Sequence, residues 1–200
     1  MKFKPRATRI TIIIVLLVMA VVGYYAFLTG RAKTSKAEAS MTAIEAALSR
    51  NLDRDYPPTP KEVMKYYNDI IKCYYNEECS DDDIEALGLK ARGLYDEKLL
   101  EANEMGGYLI NLKDEVKGYR ESKRKITNAA VASSTNVDFY DRDGYSFARL
   151  LCTYNVNENG KSETQRIVYL LRKDTDKHWK IYGWDFEANV DLNGDGIPGD

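Results

Sequence analysis

An uncharged run of nineteen residues near the start of the chain, Ile10 to Leu28, constrains its fold more than any other feature. An apolar segment of that length crosses the ~30 Å hydrocarbon core of a bilayer as one helix. Residues 1–9 carry four basic side chains and no acidic one, which is typical of a cytoplasmic flank. The sequence therefore predicts a cytoplasmic tail at 1–9, a transmembrane helix at 10–29 embedded in the lipid bilayer, and a single-pass protein of the cell membrane with its C-terminal domain extracytoplasmic.

A cleavable signal peptide is the alternative for this segment. Its apolar region would be ~7–15 residues long and would end at a small-residue cleavage site. Ala37 and Ala39 fit such a site, but they lie well beyond Leu28 and behind three basic residues. The length of the run favours an uncleaved anchor.

The charge of the chain is divided unevenly. Residues 1–36 hold seven basic and no acidic residues, whereas residues 37–200 hold 22 basic and 31 acidic ones, a net charge of −9. Nucleic-acid binding needs clustered Lys and Arg to displace counterions, so this balance excludes a nucleic-acid partner. The part beyond the anchor has the size of one domain with a hydrophobic core.

Helical patterns fill the first half of the exposed part. Residues 30–51 are rich in Ala and Glu without Pro after Gly30, and predict an extracellular helical stalk. Thr59 followed by Pro60 predicts the start of the next helix. Three apolar stripes at helical spacing follow: Val63, Tyr66, Tyr67, Ile70, Ile71 and Tyr74; then Ile84, Leu87, Ala91 and Leu94; then Leu109, Leu112, Val116 and Tyr119, on a helix near 108–122.

From Lys125 onward the pattern becomes that of strands. Alternating segments are separated by DRDG, NENGK and DTDK, which are typical hairpin connections. Helices followed by a meandering sheet predict an α+β fold, with the helices packed on the apolar face of a curved antiparallel sheet. We place this domain at residues 52–187 and an acidic, Gly-rich tail at 188–200.

The capped helix TPKEVMKYYNDI, the long strand YLLRKDTD and the last strand HWKIYGWDF resemble the nuclear-transport-factor-two-like family, which includes SnoaL-type cyclases and ketosteroid isomerases. The closest likeness is to uncharacterised membrane-anchored proteins of this fold in low-GC Gram-positive bacteria. The resemblance covers roughly residues 52–187. It implies a cone or cystatin-like fold, in which the sheet wraps around the helices and leaves a conical pocket.

Thirteen tyrosines lie beyond the predicted membrane helix and are the candidates for lining such a pocket. Aromatic stripes at helical spacing usually pack, which predicts core and rim positions for Tyr66, Tyr67, Tyr74, Tyr75 and Tyr169. No local motif in this sequence matches the Asp base or the oxyanion donors of the isomerases, so none of these roles is assigned to a residue.

Other polar residues offer no catalytic set. His178, the single histidine, stands beside a tryptophan at a strand start and has no nucleophile or orienting acid at a recognisable spacing. Arg149 and Arg166 lie inside strands, where a cross-strand salt bridge is favoured over contact with an anionic ligand. Cys73 and Cys79 either pair across a helix end or, like Cys152, stay buried thiols. The sequence therefore predicts no catalytic residue.

One motif carries metal chemistry. The last ten residues match the start of a D-x-N-x-D-G calcium loop and resemble the loops of dockerin and thrombospondin type-three repeats. The twelfth loop position lies beyond the end of the chain, so the usual bidentate acid is missing and binding is expected to be weak. The predicted calcium ligands are Asp191, Asn193, Asp195, Ile197 and Asp200; a flexible acidic tail is the alternative.

Three functions stay open from the sequence. The favoured one is a non-catalytic module that binds an envelope protein or a small ligand. The second is a cyclase- or isomerase-like enzyme, which would bury an acid in an apolar cavity. The third is a structural component of an envelope assembly, with a filled cone and an apolar outer patch.

Overall fold

The computed structural model of the chain describes residues 41–190. The described residues from Ala43 onward belong to one compact unit. The predicted membrane helix at 10–29, most of the predicted stalk and the predicted calcium loop lie outside the described residues. Among residues 41–190, no helix has both the length and the apolar character needed to cross a membrane.

Within residues 41–190, five α-helices precede the sheet. They are α1 (Ala43–Ser49), α2 (Pro60–Asn76), α3 (Asp81–Arg92), α4 (Glu97–Ala102) and α5 (Met105–Glu121). Thr59 caps α2 by accepting a hydrogen bond from the Glu62 backbone N–H at 3.2 Å, as its place before Pro60 predicts. Ser80 and Asp83 form a capping box at the start of α3.

Five antiparallel strands follow: β1 (Arg124–Val131), β2 (Asp138–Arg142), β3 (Tyr145–Glu158), β4 (Lys161–Lys173) and β5 (Trp179–Phe186). The order across the sheet is β1-β3-β4-β5, and β2 pairs with the same edge of β3 as β1, further along it. Bulges interrupt the ladders in β1 near Ile126 and in β5 opposite Leu171. Such bulges increase the twist of a strand and help to curve the sheet.

The hairpin predictions are confirmed. Asp143 and Gly144 join β2 to β3, and Asn159 and Gly160 join β3 to β4. All four residues have φ between 51° and 83°, the left-handed values that a type I′ turn requires at both central positions.

The α+β prediction is also confirmed, because the helices cover the apolar face of the curved antiparallel sheet. All three predicted helical stripes contribute buried residues, and from the sheet the inward side chains of β3 and β4 join them. The Asn76 side chain at the end of α2 exchanges two hydrogen bonds with the backbone of Ile126, at 2.8 and 2.9 Å, which fixes α2 against β1.

Two details differ from the sequence prediction. Helix α1 packs into the domain instead of standing apart as a stalk: Ala47 is buried, and its carbonyl accepts a hydrogen bond from the Tyr66 hydroxyl at 2.6 Å. The folded unit therefore begins before residue 52. Helix α4 was not predicted, because it is six residues long and buries none of them, so it leaves no apolar stripe in the sequence.

Candidate functional site

A cavity of about 810 Å³ lies between helices α2 and α5 on one side and strands β1, β3, β4 and β5 on the other. This volume falls within the range of small-molecule sites. Eight tyrosines form much of its wall, and we call it the tyrosine cavity: Tyr67, Tyr74, Tyr75, Tyr95, Tyr108, Tyr119, Tyr154 and Tyr169.

The cavity has a buried inner part and an exposed mouth. Tyr74, Tyr154 and Tyr169 in the wall are only 2–3% exposed. At the mouth, Trp184 is 41% exposed and Phe186 is 52% exposed. Large apolar side chains left in water beside a cavity favour an entrance over a closed internal void.

The buried hydroxyl groups are linked by hydrogen bonds. Tyr154 donates to the Oδ1 atom of Asn68 at 2.7 Å, and its oxygen lies 3.1 Å from the hydroxyl of Tyr169. The hydroxyl oxygens of Tyr67 and Tyr95 lie 3.4 Å apart. Asn68 is itself 2% exposed, so these contacts anchor α2 to the sheet through polar groups that have no access to water.

Burial keeps these tyrosines protonated. Desolvation raises the pKa of Tyr67 and of Tyr169 well above the ordinary value of 10.0, and neighbouring tyrosines add to the shift. The pKa values of Tyr95 and Tyr154 are raised for the same main reason. The wall therefore presents neutral aromatic rings and hydroxyl groups, not phenolates.

Two charged side chains belong to the wall, Glu115 and Arg124. Glu115 is exposed on α5, and its Oε1 atom accepts a hydrogen bond from the Tyr75 hydroxyl at 2.7 Å. The Arg124 Nε lies 3.5 Å from the Oε2 atom of Glu158, and the guanidinium stacks 5.0 Å from the ring centre of Tyr119. Arg124 is thus already engaged with groups of the protein.

Within the described part of the chain, the carboxylates near the cavity do not include a buried acid in its wall. The enzyme hypothesis expects an acid buried in the apolar cavity, but Glu115, the one carboxylate among the wall residues, is exposed. Asp96 is buried, and it lies outside the wall in an ion pair with Arg172. Within residues 41–190, no carboxylic acid is both buried and directed into the cavity.

The predicted tyrosines separate into two groups. Tyr67, Tyr74, Tyr75 and Tyr169 all line the cavity, as predicted for core and rim positions. Tyr66 is buried on the other side of α2, in contact with α1.

His178 and the two strand arginines lie away from the cavity. The His178 ring stacks on Tyr56 with ring centres 4.2 Å apart. Arg149 pairs with Asp138, directly opposite it on β2, at 2.7 Å, so the predicted cross-strand salt bridge is confirmed. Arg166 pairs with Glu187, just after β5.

All three cysteines are free and buried. The Cys79 thiol donates to the carbonyl of Cys73 at 3.2 Å instead of pairing with its sulfur. Burial raises the pKa of Cys73 to about 11 and that of Cys152 to about 12, so the thiols are inert at neutral pH.

The calcium prediction concerns residues outside the described part. Asp191, Asn193, Asp195, Ile197 and Asp200 all fall after residue 190. Within residues 41–190, no group of three or more His, Cys, Asp or Glu side chains is placed to hold a metal ion.

Sequence reasoning missed part of the wall. Tyr95, Tyr108, Trp184 and Phe186 were not singled out, because they come from the segment between α3 and α4, from α5 and from β5, and only the tertiary fold brings these together. Glu115 had a signal: it lies three residues after Leu112 and four before Tyr119, beside the predicted buried stripe of α5.

Comparison with known proteins identifies the family. The family model described as Domain of unknown function (DUF6715) matches residues 1–184. The chain therefore belongs to this family. No curated protein matches it significantly.

Proposed function

We propose that this DUF6715 protein is a membrane-anchored, extracytoplasmic and non-catalytic binding module, whose tyrosine cavity takes a small ligand. The observation that carries the proposal is the cavity itself: about 810 Å³, walled by eight tyrosines, with two exposed aromatic side chains at its mouth. Ligand sites combine an apolar, aromatic surface with a few polar groups that fix orientation. Here Asn103, Asn111 and Gln165 of the wall provide such groups.

The resemblance to the nuclear-transport-factor-two-like fold belongs to the same proposal. That family leaves a conical pocket between its curved sheet and its helices, and the position of the tyrosine cavity between α2, α5 and the strands supports the resemblance. An open cavity supports a binding role over a purely structural one, which expects that space to be filled.

The alternative of a cyclase- or isomerase-like enzyme has less support. General acid–base chemistry needs a group whose pKa is tuned by burial in the site. The wall offers buried tyrosines with raised pKa values and an exposed carboxylate. We therefore retain binding without turnover as the proposal.

The anchor is tested by topology. Protease added to intact cells is expected to remove the domain, because the basic residues before the apolar run favour a cytoplasmic N-terminus. A domain that is cleaved only after the cells are lysed would reject the extracytoplasmic placement.

The binding role is tested by filling the cavity. Gly118 belongs to the wall, and a Cβ atom placed there meets nothing within 4 Å, so Gly118→Leu is expected to occupy the cavity without disturbing the fold. The probe is 4-fluorobenzyl alcohol, a neutral aromatic compound, added to the full chain in dodecyl maltoside micelles and followed by the fluorine NMR line width. We expect saturable binding to the native chain and its loss in Gly118→Leu.

Gly107→Leu is the matched control. Gly107 lies in the first turn of the same helix, is not a wall residue, and also has open space at its Cβ position. This variant is expected to bind the probe like the native chain. Absence of saturable binding to the native chain, or equal binding by Gly118→Leu, would reject the proposed cavity function.

A further inference from the structure

The two charged wall residues, taken with the acid that pairs with one of them, carry a net charge of −1. Of the two charged wall residues, Arg124 is neutralised by Glu158 at 3.5 Å. Glu115 forms no ion pair with any of the described residues, and its contact with Tyr75 is a hydrogen bond to a neutral hydroxyl. One uncompensated carboxylate therefore faces the cavity, in a described domain where 27 acidic residues outnumber 22 basic ones.

The aromatic wall adds to the same preference. The face of an aromatic ring carries negative electrostatic potential and attracts cations. The wall rings present faces in different directions, because neighbouring rings stand at steep angles: 69° between Tyr67 and Tyr169, and 86° between Tyr95 and Tyr108. Rings set at such angles surround a ligand from more than one direction.

The protein already uses two of these rings to hold cations. The guanidinium of Arg92 lies 5.1 Å from the ring centre of Tyr108, and that of Arg124 lies 5.0 Å from the ring centre of Tyr119. Both distances are within the ~6 Å range of cation–π attraction. Among the described residues, no Lys or Arg side chain lies over the rings of the other six wall tyrosines.

We infer that the ligand of the tyrosine cavity carries a cationic head, an ammonium or quaternary ammonium group that packs against the tyrosine faces and pairs with Glu115. The inference rests on the proposed function of the cavity and adds the chemical class of its ligand. Glu115 supplies the counter-charge at the exposed end of the wall, and the ring faces replace part of the water lost by the cation.

The test compares three probes of one shape and different charge. Choline is cationic, 3,3-dimethyl-1-butanol is its neutral carbon analogue, and 3,3-dimethylbutyrate is an anionic counterpart. Binding to the full chain in dodecyl maltoside is measured by titration calorimetry. We expect choline to bind about two- to thirtyfold more tightly than the alcohol, the ratio that corresponds to a cation–π contribution, and the anion to bind most weakly.

The variant Glu115→Gln tests whether the Glu115 carboxylate is the group that pairs with the cationic ligand. Its amide oxygen can still accept the Tyr75 hydrogen bond, and Glu115 is exposed, so the fold is expected to stay intact. Choline affinity should fall toward that of the alcohol, while the alcohol's own affinity stays unchanged. Asp114→Asn is the control, since it removes the same charge from an exposed neighbour outside the wall and should alter neither affinity.

The outcomes separate this inference from the proposed function. Equal binding of choline and the alcohol, or tightest binding of the anion, would overturn the cationic ligand while leaving a binding cavity. The same holds if choline fails to bind although 4-fluorobenzyl alcohol binds. If no probe binds, both fail.

Discussion

Arg172 of β4 and Asp96, the N-cap residue of α4, form a buried ion pair joined at two points, with Nε to Oδ2 at 2.8 Å and Nη2 to Oδ1 at 2.7 Å. The Asp96 side chain is 2% exposed and that of Arg172 is 14% exposed. The Asp96 backbone N–H donates to the carbonyl of Ile181 in β5, and the Ile181 N–H donates to the carbonyl of Leu94, each at 2.8 Å. Tyr95 lies between Leu94 and Asp96, so these bonds and the ion pair together hold it in the wall of the tyrosine cavity.

Removal of the charge on Asp96 is expected to be costly. Asp96→Asn retains a side-chain oxygen to cap α4, but it leaves the Arg172 guanidinium buried without its counter-charge. A broken buried pair typically lowers the free energy of unfolding by about 3–5 kcal/mol. Urea unfolding of the full chain, followed by tryptophan fluorescence, measures the loss.

Asp138→Asn is the matched comparison for this substitution. It breaks the Arg149 pair, in which the arginine is as buried as Arg172 (14% exposed) but the carboxylate is 53% exposed, so its cost should be smaller than that of Asp96→Asn. Equal losses for the two variants would contradict the structural role of the Asp96 pair.

The contact between Tyr154 and Asn68 should show strong coupling. Tyr154→Phe removes the donor to Asn68 Oδ1, and Asn68 Nδ2 already has no partner among the described residues. An unsatisfied buried group costs about 1–3 kcal/mol, whereas replacing both partners by apolar groups can be nearly neutral.

A double-mutant cycle measures this coupling. The free energies of unfolding of Tyr154→Phe, Asn68→Leu and the double variant are compared with that of the native chain. We expect the double variant to lose less stability than the two single variants together. Additive losses would mean that the two side chains do not depend on each other.

Local structure could be predicted from the sequence, while the candidate site could be predicted only in part. The backbone conformations at Thr59-Pro60 and Asn159-Gly160 are set by the residues themselves, so the sequence alone predicts the helix start and the hairpin turn. Asp96 and Arg172 are 76 residues apart, and no local pattern connects them. The tyrosines on helical stripes could be identified because their spacing is a local pattern. Tyr95 could not, because its place in the wall depends on the ion pair of its neighbour Asp96 with Arg172.

Two helical glycines should respond to alanine in opposite ways. At Gly118 a Cβ atom has open space, so Gly118→Ala should stabilise the helix by about 0.5–1 kcal/mol through the lower entropy of the unfolded chain. At Gly88 the added Cβ atom would lie 2.9 Å from Leu112 Cδ2 and 3.3 Å from Leu109 Cδ2, so α3 and α5 must separate or Leu112 must move.

Thermal unfolding of the two variants tests this difference. The melting temperature should rise in Gly118→Ala and should not rise in Gly88→Ala. A higher melting temperature in Gly88→Ala than in Gly118→Ala would show that the contact between α3 and α5 yields easily.

The C-terminal calcium loop stays a prediction from the sequence. We expect calcium to bind weakly, in the range of ~10⁻⁴–10⁻³ M that is typical of extracellular modules. Titration calorimetry of the full chain should detect it, and Asp195→Asn should weaken it. Magnesium is the control cation. If the heat of calcium binding is the same in Asp195→Asn as in the native chain, the calcium binds at another site.

The buried tyrosines predict a loss of stability at high pH. Desolvation raises the pKa of Tyr67 and Tyr169 in the folded chain well above the value of 10.0 for an exposed tyrosine. Below about pH 10 the hydroxyl is protonated in both states, so the free energy of unfolding does not depend on it. Above that pH the unfolded chain releases the proton and the folded chain does not. Each such tyrosine then lowers the free energy of unfolding by up to about 1.4 kcal/mol per pH unit.

Two measurements on the same samples check this sign. Urea unfolding between about pH 9 and pH 11.5 should show a steep fall in the free energy of unfolding above about pH 10. The thiols of Cys73 and Cys152, with pKa values raised to about 11 and about 12, act in the same direction. Tyr154→Phe removes one buried hydroxyl and should make the fall shallower. Tyrosinate absorbance at the buried positions should appear only as the chain unfolds. If that absorbance developed fully while the far-ultraviolet circular dichroism stayed native, the wall tyrosines would be accessible to hydroxide. The conclusion that the wall consists of buried, neutral rings would then be wrong.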